Sequence, residues 1–393
     1  MRLLHTSDWH LGRTLHGVDL TAHQAAFLDH LVEVVRVEEV DAVLVAGDVY
    51  DRAIPPVEAV ALLSDVLRRL AELTTVVLTP GNHDSAARLG FGSALMRDRV
   101  RIVAGPADLD RPVTLGGPDG DVLVYGIPYL DPDVARHTLA EGSEPLPRSH
   151  AAVLAAAMDR VRADLDRRRA AAAPGAAPRS VVLAHAFVVG GAPSESERDI
   201  RVGGVDRAPT SVFDGVDYVA LGHLHGPQRV GDPDGGTVLR YAGSPLAYSF
   251  SEAGHTKSTA LVDLGPTGPA TVRLVEAPVP RRLTDLTGTL DSLLGEAGEP
   301  HLDDWVRVTV TDAHRPTDLY RRVRARFPHA LVVQHLPPTR TDEARAASVT
   351  IARDPLEVAA EFVAHVRGTG PTTAESAVLR QAYEQVMAAE RSA

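Results

Sequence analysis

Five short polar segments, spread over the first 225 residues, carry the side chains best suited to metal chemistry. Each follows an apolar run and supplies carboxylate, amide or imidazole groups. The segments are Asp8-Trp9-His10, Gly47-Asp48-Val49-Tyr50-Asp51, Gly81-Asn82-His83-Asp84, Ala184-His185 and Gly222-His223-Leu224-His225. If the preceding strands share one sheet, their carboxyl ends bring these groups to one edge. Two divalent cations held there would clamp a phosphate for displacement, so the segments predict a two-metal phosphoesterase.

The five segments differ in how specific they are. An Asp-x-His pair such as Asp8 and His10 occurs by chance in many chains, and Gly47-Asp48 after a strand is often a simple turn. Gly81-Asn82-His83-Asp84 is much rarer, and Gly222-His223-Leu224-His225 is rarer still. Because all five occur in this order after strand-like runs, coincidence is a poor explanation.

The composition excludes several classes of protein. A length of 393 residues predicts one large and one small domain. The absence of cysteine excludes a disulfide framework and a thiolate zinc site. No window approaches the roughly eighteen uninterrupted apolar residues of a membrane span. The chain passes from Arg2 straight into a strand, which leaves no room for a signal peptide, so we expect a cytoplasmic protein.

The charge distribution bears on nucleic-acid binding. A net charge of −12 opposes it at first sight, although carboxylates at the metal site account for part of the excess. A basic cluster lies between residues 315 and 329, where one acid, Asp318, accompanies five arginines. They are Arg315, Arg321, Arg322, Arg324 and Arg326. The cluster is compatible with phosphate contacts and equally with a solvated helix face.

Strands and helices alternate in the first part of the chain. Strands are predicted at 2–6, 42–46, 75–78, 122–125, 181–184 and 218–221, and helices at 20–36, from Pro55-Pro56 onward, and at 149–170. This alternation is typical of an α/β fold with parallel strands and right-handed crossovers. The segments 228–230, 237–242, 258–263 and 270–276 are predicted to form the second sheet of a layered sandwich with helices outside.

A small α+β unit is predicted from about Pro278. It has a strand at 305–311, the basic helix at 316–327 and a strand at 331–335. Two capping boxes then mark helix starts, Asp354-Pro355-Leu356-Glu357 and Thr372-Thr373-Ala374-Glu375. The helix after the second box carries an apolar stripe at helical spacing: Val378, Leu379, Ala382, Tyr383, Val386 and Met387.

The chain resembles the SbcD family of nuclease subunits, within the calcineurin-like metallophosphoesterase superfamily. The resemblance is carried by residues 1–12, Gly222–Gln228, Tyr241–Pro245 and Ser249–Glu252, besides the five segments. It implies a four-layer α-β-β-α metallophosphoesterase sandwich followed by a small α+β capping domain. The implied boundaries are a nuclease domain at 1–277, a DNA-contacting capping domain at 278–370 and a C-terminal helix at 371–393 that docks an ATPase.

The resemblance also implies the ligand set. Asp8, His10 and His225 would hold one ion, and Asn82, His185 and His223 the other. Asp48 would bridge both ions, because a carboxylate has two oxygens. Mixed carboxylate, amide and imidazole donors favour two Mn²⁺, with Mg²⁺ or Fe²⁺ as substitutes.

His83 is the candidate catalytic residue. Because it follows ligand Asn82, its side chain is expected on the other side of the loop, away from the ligand set, where it could protonate the leaving oxygen. Asp84 is expected either to orient the His83 ring or to cap the helix that begins at Ser85, and the role of Asp51 stays open. The candidates for DNA contact are Arg13 and His16, in the loop beside the site, together with Arg321 and Arg322.

The implied function is a metal-dependent DNA nuclease acting in repair, recombination and replication. Its expected activities are ATP-dependent exonuclease action on duplex ends and endonuclease action on single strands and hairpins. Because the chain lacks the Gly-x-x-x-x-Gly-Lys-Ser/Thr motif, an SbcC-type coiled-coil ATPase would handle ATP, with a homodimer of this chain inside a heterotetramer. Two alternatives are a phosphodiesterase acting on small nucleotides and a non-catalytic adaptor that recruits an ATPase.

Overall fold

The computed structural model describes residues 1–96, 99–197, 207–337, 355–367 and 369–391. The chain forms two compact units, Met1–Leu336 and Pro337–Ala393. The strands, numbered in chain order, are β1 (Arg2–Thr6), β2 (Thr14–Leu15), β3 (Val18–Asp19), β4 (Ala42–Ala46), β5 (Thr75–Thr79), β6 (Val100–Ile102), β7 (Val113–Leu115), β8 (Val122–Ile127), β9 (Arg179–His185), β10 (Tyr218–Gly222), β11 (Gln228–Val230), β12 (Val238–Tyr241), β13 (Ser258–Asp263), β14 (Thr271–Glu276), β15 (Leu283–Gly288), β16 (Trp305–Val310) and β17 (Ala330–His335).

The helices surround these strands or follow them. They are α1 (Thr21–Val37), α2 (Val57–Leu73), α3 (Ala86–Leu89), α4 (Pro132–Thr138), α5 (His150–Ala171), α6 (Leu290–Leu294), α7 (Leu319–Arg326), α8 (Pro355–Arg367) and α9 (Thr373–Arg391). Helix α2 begins directly after Pro55-Pro56, because proline is tolerated before the first turn but not inside a helix. Its buried residues recur every three or four positions, as in Ala59, Leu63 and Val66, and so form one face.

Two six-stranded sheets form the body of the first unit. The first has the order β14-β13-β1-β4-β5-β6, and the second β11-β12-β10-β9-β8-β7. Strands β1, β4, β5 and β6 are parallel, as are β8, β9, β10 and β12. Parallel neighbours place their carboxyl ends at one edge of each sheet, which is where the polar segments begin.

The central strands are buried on both faces, and side chains that point in alternate directions along them produce four layers. Leu3 and Leu44 lie in a core between the two sheets, shared with Val181 and Ala220 of the second sheet. Their chain neighbours face the opposite way, because side chains alternate along a strand. Leu4, for example, packs in the core that α1 and α2 close, and a third core lies between the second sheet and α5. The predicted α-β-β-α sandwich is therefore confirmed.

The predicted composition of the second sheet was partly wrong. Strands β11 and β12 belong to it, but β13 and β14 return to the first sheet, where β13 pairs antiparallel with β1. The strands at 181–184 and 218–221 supply the centre of the second sheet instead. Residues 222–276 thus contribute the last two strands at one side of each sheet, β13 and β14 in the first and β11 and β12 in the second.

A third sheet, β15-β16-β17, lies in the same compact unit as the two large ones. Helix α7 covers it with Leu319 and Val323. Leu283 and Trp305 of this sheet pack against Tyr248 and Leu15 of the part that carries the two large sheets. Apolar packing therefore fixes the third sheet beside the loops that carry the polar segments.

The arginines of α7 have carboxylate neighbours of their own. Arg321 pairs with Asp318, Arg326 pairs with Glu299, and Arg322 lies 3.2 Å from Asp291. These pairs neutralise part of the basic cluster, although Arg321 and Arg322 remain accessible to solvent. The helix therefore offers fewer unpaired charges to a phosphate than its sequence indicates.

The second unit contains α8 and α9. The predicted capping box at the start of α9 is present, because Glu375 Oε2 accepts the Thr372 N–H at 2.7 Å and the Thr372 hydroxyl accepts the Glu375 N–H at 3.4 Å. Asp354 of the other predicted box lies outside the described residues, as does Gly368. Among the helices that the structure describes, each is too short or too polar to cross a bilayer.

Candidate metal centre

The predicted ligands follow the carboxyl ends of strands in both large sheets. Asp8 and His10 come after β1, Asp48 after β4, and Asn82 after β5, all in the first sheet. Those of the second sheet are His185, the last residue of β9, and His223 and His225 after β10. The expectation of one sheet was therefore wrong: two facing sheets supply the ligands.

Glycines allow the two sheets to approach closely at this edge. A Cβ on Gly222 would lie 1.7 Å from the Ala46 carbonyl oxygen, and one on Gly47 would lie 2.3 Å from His185 Nδ1. Gly81 is equally restricted, since its Cβ would lie 2.1 Å from Asp48 Oδ1. Any side chain at these positions would force the ligand loops apart.

The first group of donors consists of Asp8, His10 and His225. One ligand atom from each lies within 4.8 Å of the others, and all three residues are buried. The His10 and His225 Nε2 atoms are 3.2 Å apart. Two ring nitrogens aimed at each other beside a carboxylate are arranged as ligands of one cation.

The second group is built around Asn82. Its Oδ1 atom lies 2.9 Å from His185 Nε2 and 3.2 Å from His223 Nδ1. The His223 backbone N–H donates to Asp8 Oδ1 at 3.0 Å, which ties this group to the first. An amide oxygen and two imidazole nitrogens thus converge on a second point.

Asp48 lies between the two groups. Its Oδ2 atom is 3.6 Å from His10 Nε2 and 3.4 Å from His185 Nε2. Its Oδ1 atom accepts the backbone N–H of His83 at 2.8 Å. One carboxylate therefore faces both sets of imidazoles.

Electrostatics at this edge suit cations. Burial, followed by the nearby charge of Asp48, raises the pKa of Asp8 well above its usual value. Burial lowers the pKa of His10, His185 and His223, so that these rings are neutral, the form that binds metals. Neighbouring buried carboxylates need positive charge to compensate them, and the donor set fits two divalent cations.

Four of these residues hold unusual backbone conformations. Positive φ angles occur at Asp8 (53°), His10 (46°), Asp48 (48°) and His223 (105°). Such conformations cost about 1–3 kcal/mol each and concentrate at functional sites. Hydrogen bonds maintain them, including the His10 N–H to the Asp48 carbonyl oxygen at 2.9 Å and the Gln24 side-chain amide to the His10 carbonyl oxygen at 2.8 Å.

The predicted orientation of His83 was wrong. Its ring does not point away from the ligands: it meets the His10 ring edge-on at 4.6 Å, and its Nε2 atom lies 3.9 Å from Asp48 Oδ2. The Nδ1 atom faces the backbone carbonyl oxygen of Asp51 at 2.8 Å. His83 therefore lies at the margin of the ligand set, close enough to reach a phosphate held there.

Both expectations for Asp84 were also wrong. Its carboxylate accepts three backbone N–H groups, from Val49 at 3.0 Å, Tyr50 at 2.8 Å and Gly81 at 2.9 Å. The cap of α3 is Ser85, whose side chain accepts the Arg88 N–H. Asp84 thus joins the loops after β4 and β5, because these are the loops whose backbone donors it satisfies.

Arg13 and Asp51 form a polar wall beside His10. The Arg13 guanidinium lies over the Tyr248 ring, 4.9 Å from its centre. It is 3.4 Å from Asp51 Oδ1, which in turn lies 3.6 Å from His10 Nδ1. His16 is exposed nearby, with its ring 5.5 Å from that of Phe250.

Sequence reasoning missed a buried polar network behind His225. Its members are Glu252, Lys257, Ser196 and Glu197. Burial alone would raise the pKa of Glu252, but the His225 hydrogen bond and the Lys257 charge lower it below its usual range. Glu252 belongs to a stretch that carries the family resemblance, yet nothing in the sequence marks Lys257 as its buried partner.

Two family models match the chain. The calcineurin-like phosphoesterase model matches residues 1–227. The SbcD_C model, described as the type 5 capsule protein repressor C-terminal domain, matches residues 279–367. A relative from Bacillus subtilis (strain 168), named as the SbcD component of the SbcCD nuclease, is 36% identical over 278 residues, which are 69% of this chain and 68% of that protein.

Solved structures give weaker likenesses. The protein TT1561 of Thermus thermophilus has a TM-score of 0.40 and 15% identity, over 70% of this chain and 98% of that one. A dimetal phosphatase from Danio rerio has a TM-score of 0.39 and 14% identity, over 69% and 98%. TM-scores this low do not by themselves establish a shared fold.

The family models and the Bacillus subtilis relative agree with the geometry at the sheet edge. The phosphoesterase model spans all seven predicted ligands, from Asp8 to His225. The SbcD_C model covers the third sheet and continues through α8. The chain therefore belongs to the calcineurin-like phosphoesterases and, within them, to the SbcD family of nuclease subunits, and it is a metal-dependent phosphodiesterase.

Proposed function

We propose that this chain is the nuclease subunit of an SbcCD-type complex and that its metal centre hydrolyses DNA phosphodiesters. The observation that carries the proposal is the position of Asp48, whose Oδ2 atom lies 3.6 Å from His10 Nε2 and 3.4 Å from His185 Nε2. A carboxylate in this position can serve two cations at the separation of about 3.5–4 Å that such reactions require.

The proposed ligands are those assigned from the sequence. Asp8, His10 and His225 would hold one ion, Asn82, His185 and His223 would hold the other, and Asp48 would serve both. Mn²⁺ is the proposed metal, with Mg²⁺ or Fe²⁺ as substitutes, because oxygen and imidazole donors are mixed. When bound, the two cations supply positive charge that polarises the phosphoryl oxygens and the attacking water.

His83 is the proposed proton donor. A carbonyl oxygen can only accept, so the contact with the Asp51 oxygen places a proton on His83 Nδ1. To act as the donor the ring must be the imidazolium, which carries a second proton on Nε2. That proton passes to the departing sugar oxygen and leaves the neutral ring with its Nδ1–H still on the Asp51 carbonyl oxygen. The backbone N–H of His83 donates to Asp48 Oδ1, and this bond does not involve the ring. A change of the side chain can therefore test proton transfer without removing the support of Asp48.

Arg13 and His16 are proposed to position the DNA backbone. The Arg13 side chain is held by Asp51, by the Tyr248 ring and by the Ser196 carbonyl oxygen at 3.1 Å. A guanidinium fixed in this way loses little freedom when it binds a phosphate. His16, exposed on the adjacent loop, extends the same surface.

The proposed complex acts in repair, recombination and replication. Its proposed activities are ATP-dependent exonuclease action on duplex ends and endonuclease action on single strands and hairpins. The partner is an SbcC-type coiled-coil ATPase, with two copies of this chain in a heterotetramer in the cytoplasm. The name of the Bacillus subtilis relative, a subunit of the SbcCD nuclease, supports the assignment to such a complex.

A cleavage assay on a labelled DNA hairpin tests the proposed function. We expect Mn²⁺-dependent cleavage by this chain and stimulation by ATP only when the ATPase is added. A matched reaction on small nucleotide phosphodiesters tests the alternative substrate class. Hydrolysis of those nucleotides with intact hairpin DNA would favour the small-nucleotide enzyme instead.

The α7 arginines give a prediction about DNA affinity. Changing Arg321 and Arg322 to glutamate is expected to weaken DNA binding and to lower the slope of log affinity against log salt by about 1 per lost phosphate contact. The same changes at Arg68 and Arg69 of α2 are the control, since these arginines also have carboxylate partners. If the changes in α2 weaken DNA binding as much as those in α7, the effect would come from the overall charge of the protein and not from contacts that α7 makes with DNA.

Helix α9 gives a prediction about the partner. Val378 is 64% exposed, and an apolar stripe on one side of a helix suits docking in a groove of another protein. Deleting residues 371–393 should leave a folded Mn²⁺-dependent nuclease that no longer co-purifies with the ATPase and is not stimulated by ATP.

Two point variants make the same test without truncation. Val378→Glu should weaken the complex, whereas Gln381→Glu adds the same charge at an exposed polar position of α9 and should not. Undiminished affinity of the truncated protein for the ATPase would refute docking through α9.

A further inference from the structure

His225 is held at three of its atoms by groups outside the ligand set, of which Ser196 and Lys257 are buried and Glu197 is half-buried. Its backbone N–H donates to Glu197 Oε1 at 2.9 Å, and its carbonyl oxygen accepts from Lys257 Nζ at 3.1 Å. The ring Nδ1 lies 2.6 Å from the Ser196 hydroxyl oxygen. Of these three contacts, only the one with Ser196 involves the ring, and it is also the shortest.

The ring contact has a definite direction. The Ser196 hydroxyl donates to Glu252 Oε1, so its oxygen accepts from the Nδ1–H of His225. Glu252 Oε1 also lies 3.3 Å from the same Nδ1 atom. With Nδ1 protonated, the lone pair of His225 is on Nε2, the atom that faces His10.

Lys257 completes the support from the other side. Its ammonium donates to Glu252 Oε2, to the Ser244 hydroxyl at 2.9 Å and to the His225 carbonyl oxygen. Glu252 and Lys257 are 1% and 2% exposed. A buried ion pair is weak as a source of stability, because well-packed apolar residues of similar volume often serve as well. Its contact with both the ring and the backbone of His225 indicates another purpose.

We propose that Glu252, acting through Ser196, and Lys257, which holds Glu252 and the His225 carbonyl oxygen, are positioning residues that fix the tautomer and orientation of His225 for metal binding. The inference rests on the proposed assignment of His225 as a ligand. Partners that orient a metal-binding histidine contribute about 10–100-fold to metal affinity. The ion nearest Asp8 and His10 should therefore depend on Glu252, whereas the ion at Asn82 should not.

Calorimetric titration with Mn²⁺ tests this dependence. Glu252→Gln is expected to weaken one of two sites by about 10–100-fold and to leave the other unchanged. Electron paramagnetic resonance at two equivalents of Mn²⁺ gives an independent reading. The wild type should show the spectrum of a coupled pair, and the variant should show signals of single ions.

Variants of Ser196, which add or remove no charge, distinguish a loss of positioning from a loss of folding. Ser196→Ala removes the relay hydroxyl without leaving a buried charge and should reproduce the loss, while Ser196→Thr retains a hydroxyl and should restore affinity. Ser64→Ala changes an exposed serine of α2 and should bind both ions normally.

The outcomes distinguish this inference from the proposed function. If the wild type binds two ions and folded Ser196→Ala binds both as tightly, the positioning role is overturned. If the wild type binds no pair of ions, the proposed metal centre is overturned together with this inference.

Discussion

Replacing His83 with leucine is expected to lower DNA cleavage by about 10²–10⁴-fold while two metal ions remain bound. The factor is that of a positioned general acid. The ions remain because the His83 backbone N–H, which the substitution keeps, is the group that holds Asp48 Oδ1 at 2.8 Å. Cleavage rates at saturating Mn²⁺ and a calorimetric count of bound ions measure the two effects separately.

The control for this variant is His137→Leu, which removes an exposed histidine at the end of α4. It should cleave DNA at the wild-type rate. The contact of His83 Nε2 with Asp48 at 3.9 Å makes a ligand role the competing explanation. Loss of one ion in folded His83→Leu would establish that role and refute the proton donor.

Replacing Asp48 with alanine is expected to remove both metal ions and the activity together. Its Oδ2 atom lies between His10 and His185, so the change takes negative charge from both groups of donors at once. Because the metal-derived charge is lost with the ions, the cleavage rate should fall further than in His83→Leu, by more than about 10⁴-fold. Metal analysis of the purified variant measures the first effect, and the hairpin assay measures the second.

His10→Ala is the comparison for Asp48→Ala. It removes a ligand of one proposed ion only, so the ion held by Asn82, His185 and His223 should persist. Circular dichroism of both variants establishes that they are folded. An Asp48→Ala protein that retains one full equivalent of tightly bound Mn²⁺ would show that the carboxylate is no bridge.

Much of this fold and site could be predicted from local sequence. Strand Ala42–Ala46 and helix α2 have apolar spacing that identifies them without knowledge of their neighbours. The polar segments follow strands, and parallel strands end at common edges. That rule accounts for Asp8 and Asp48 in the first sheet and for His185 and His223 in the second. It does not predict that the two sets meet, because this depends on how the two sheets face each other.

Other features depend on contacts between distant segments, which local patterns do not encode. Strand β13 has the same alternation whether it joins the first sheet or the second. Asp84 satisfies N–H groups of two loops, and its role is set by how those loops meet. Lys257 is a charged residue that composition rules place at the surface, and only the structure shows its burial against Glu252.

Anomalous X-ray diffraction from crystals grown with Mn²⁺ tests the central claim most directly. The account predicts two anomalous peaks about 3.5–4 Å apart at the edge where β1, β4 and β10 end. One peak should contact Asp8, His10 and His225, the other Asn82, His185 and His223, with Asp48 between them. A single peak at this edge, or a pair of peaks that Asp48 does not join, would contradict the account.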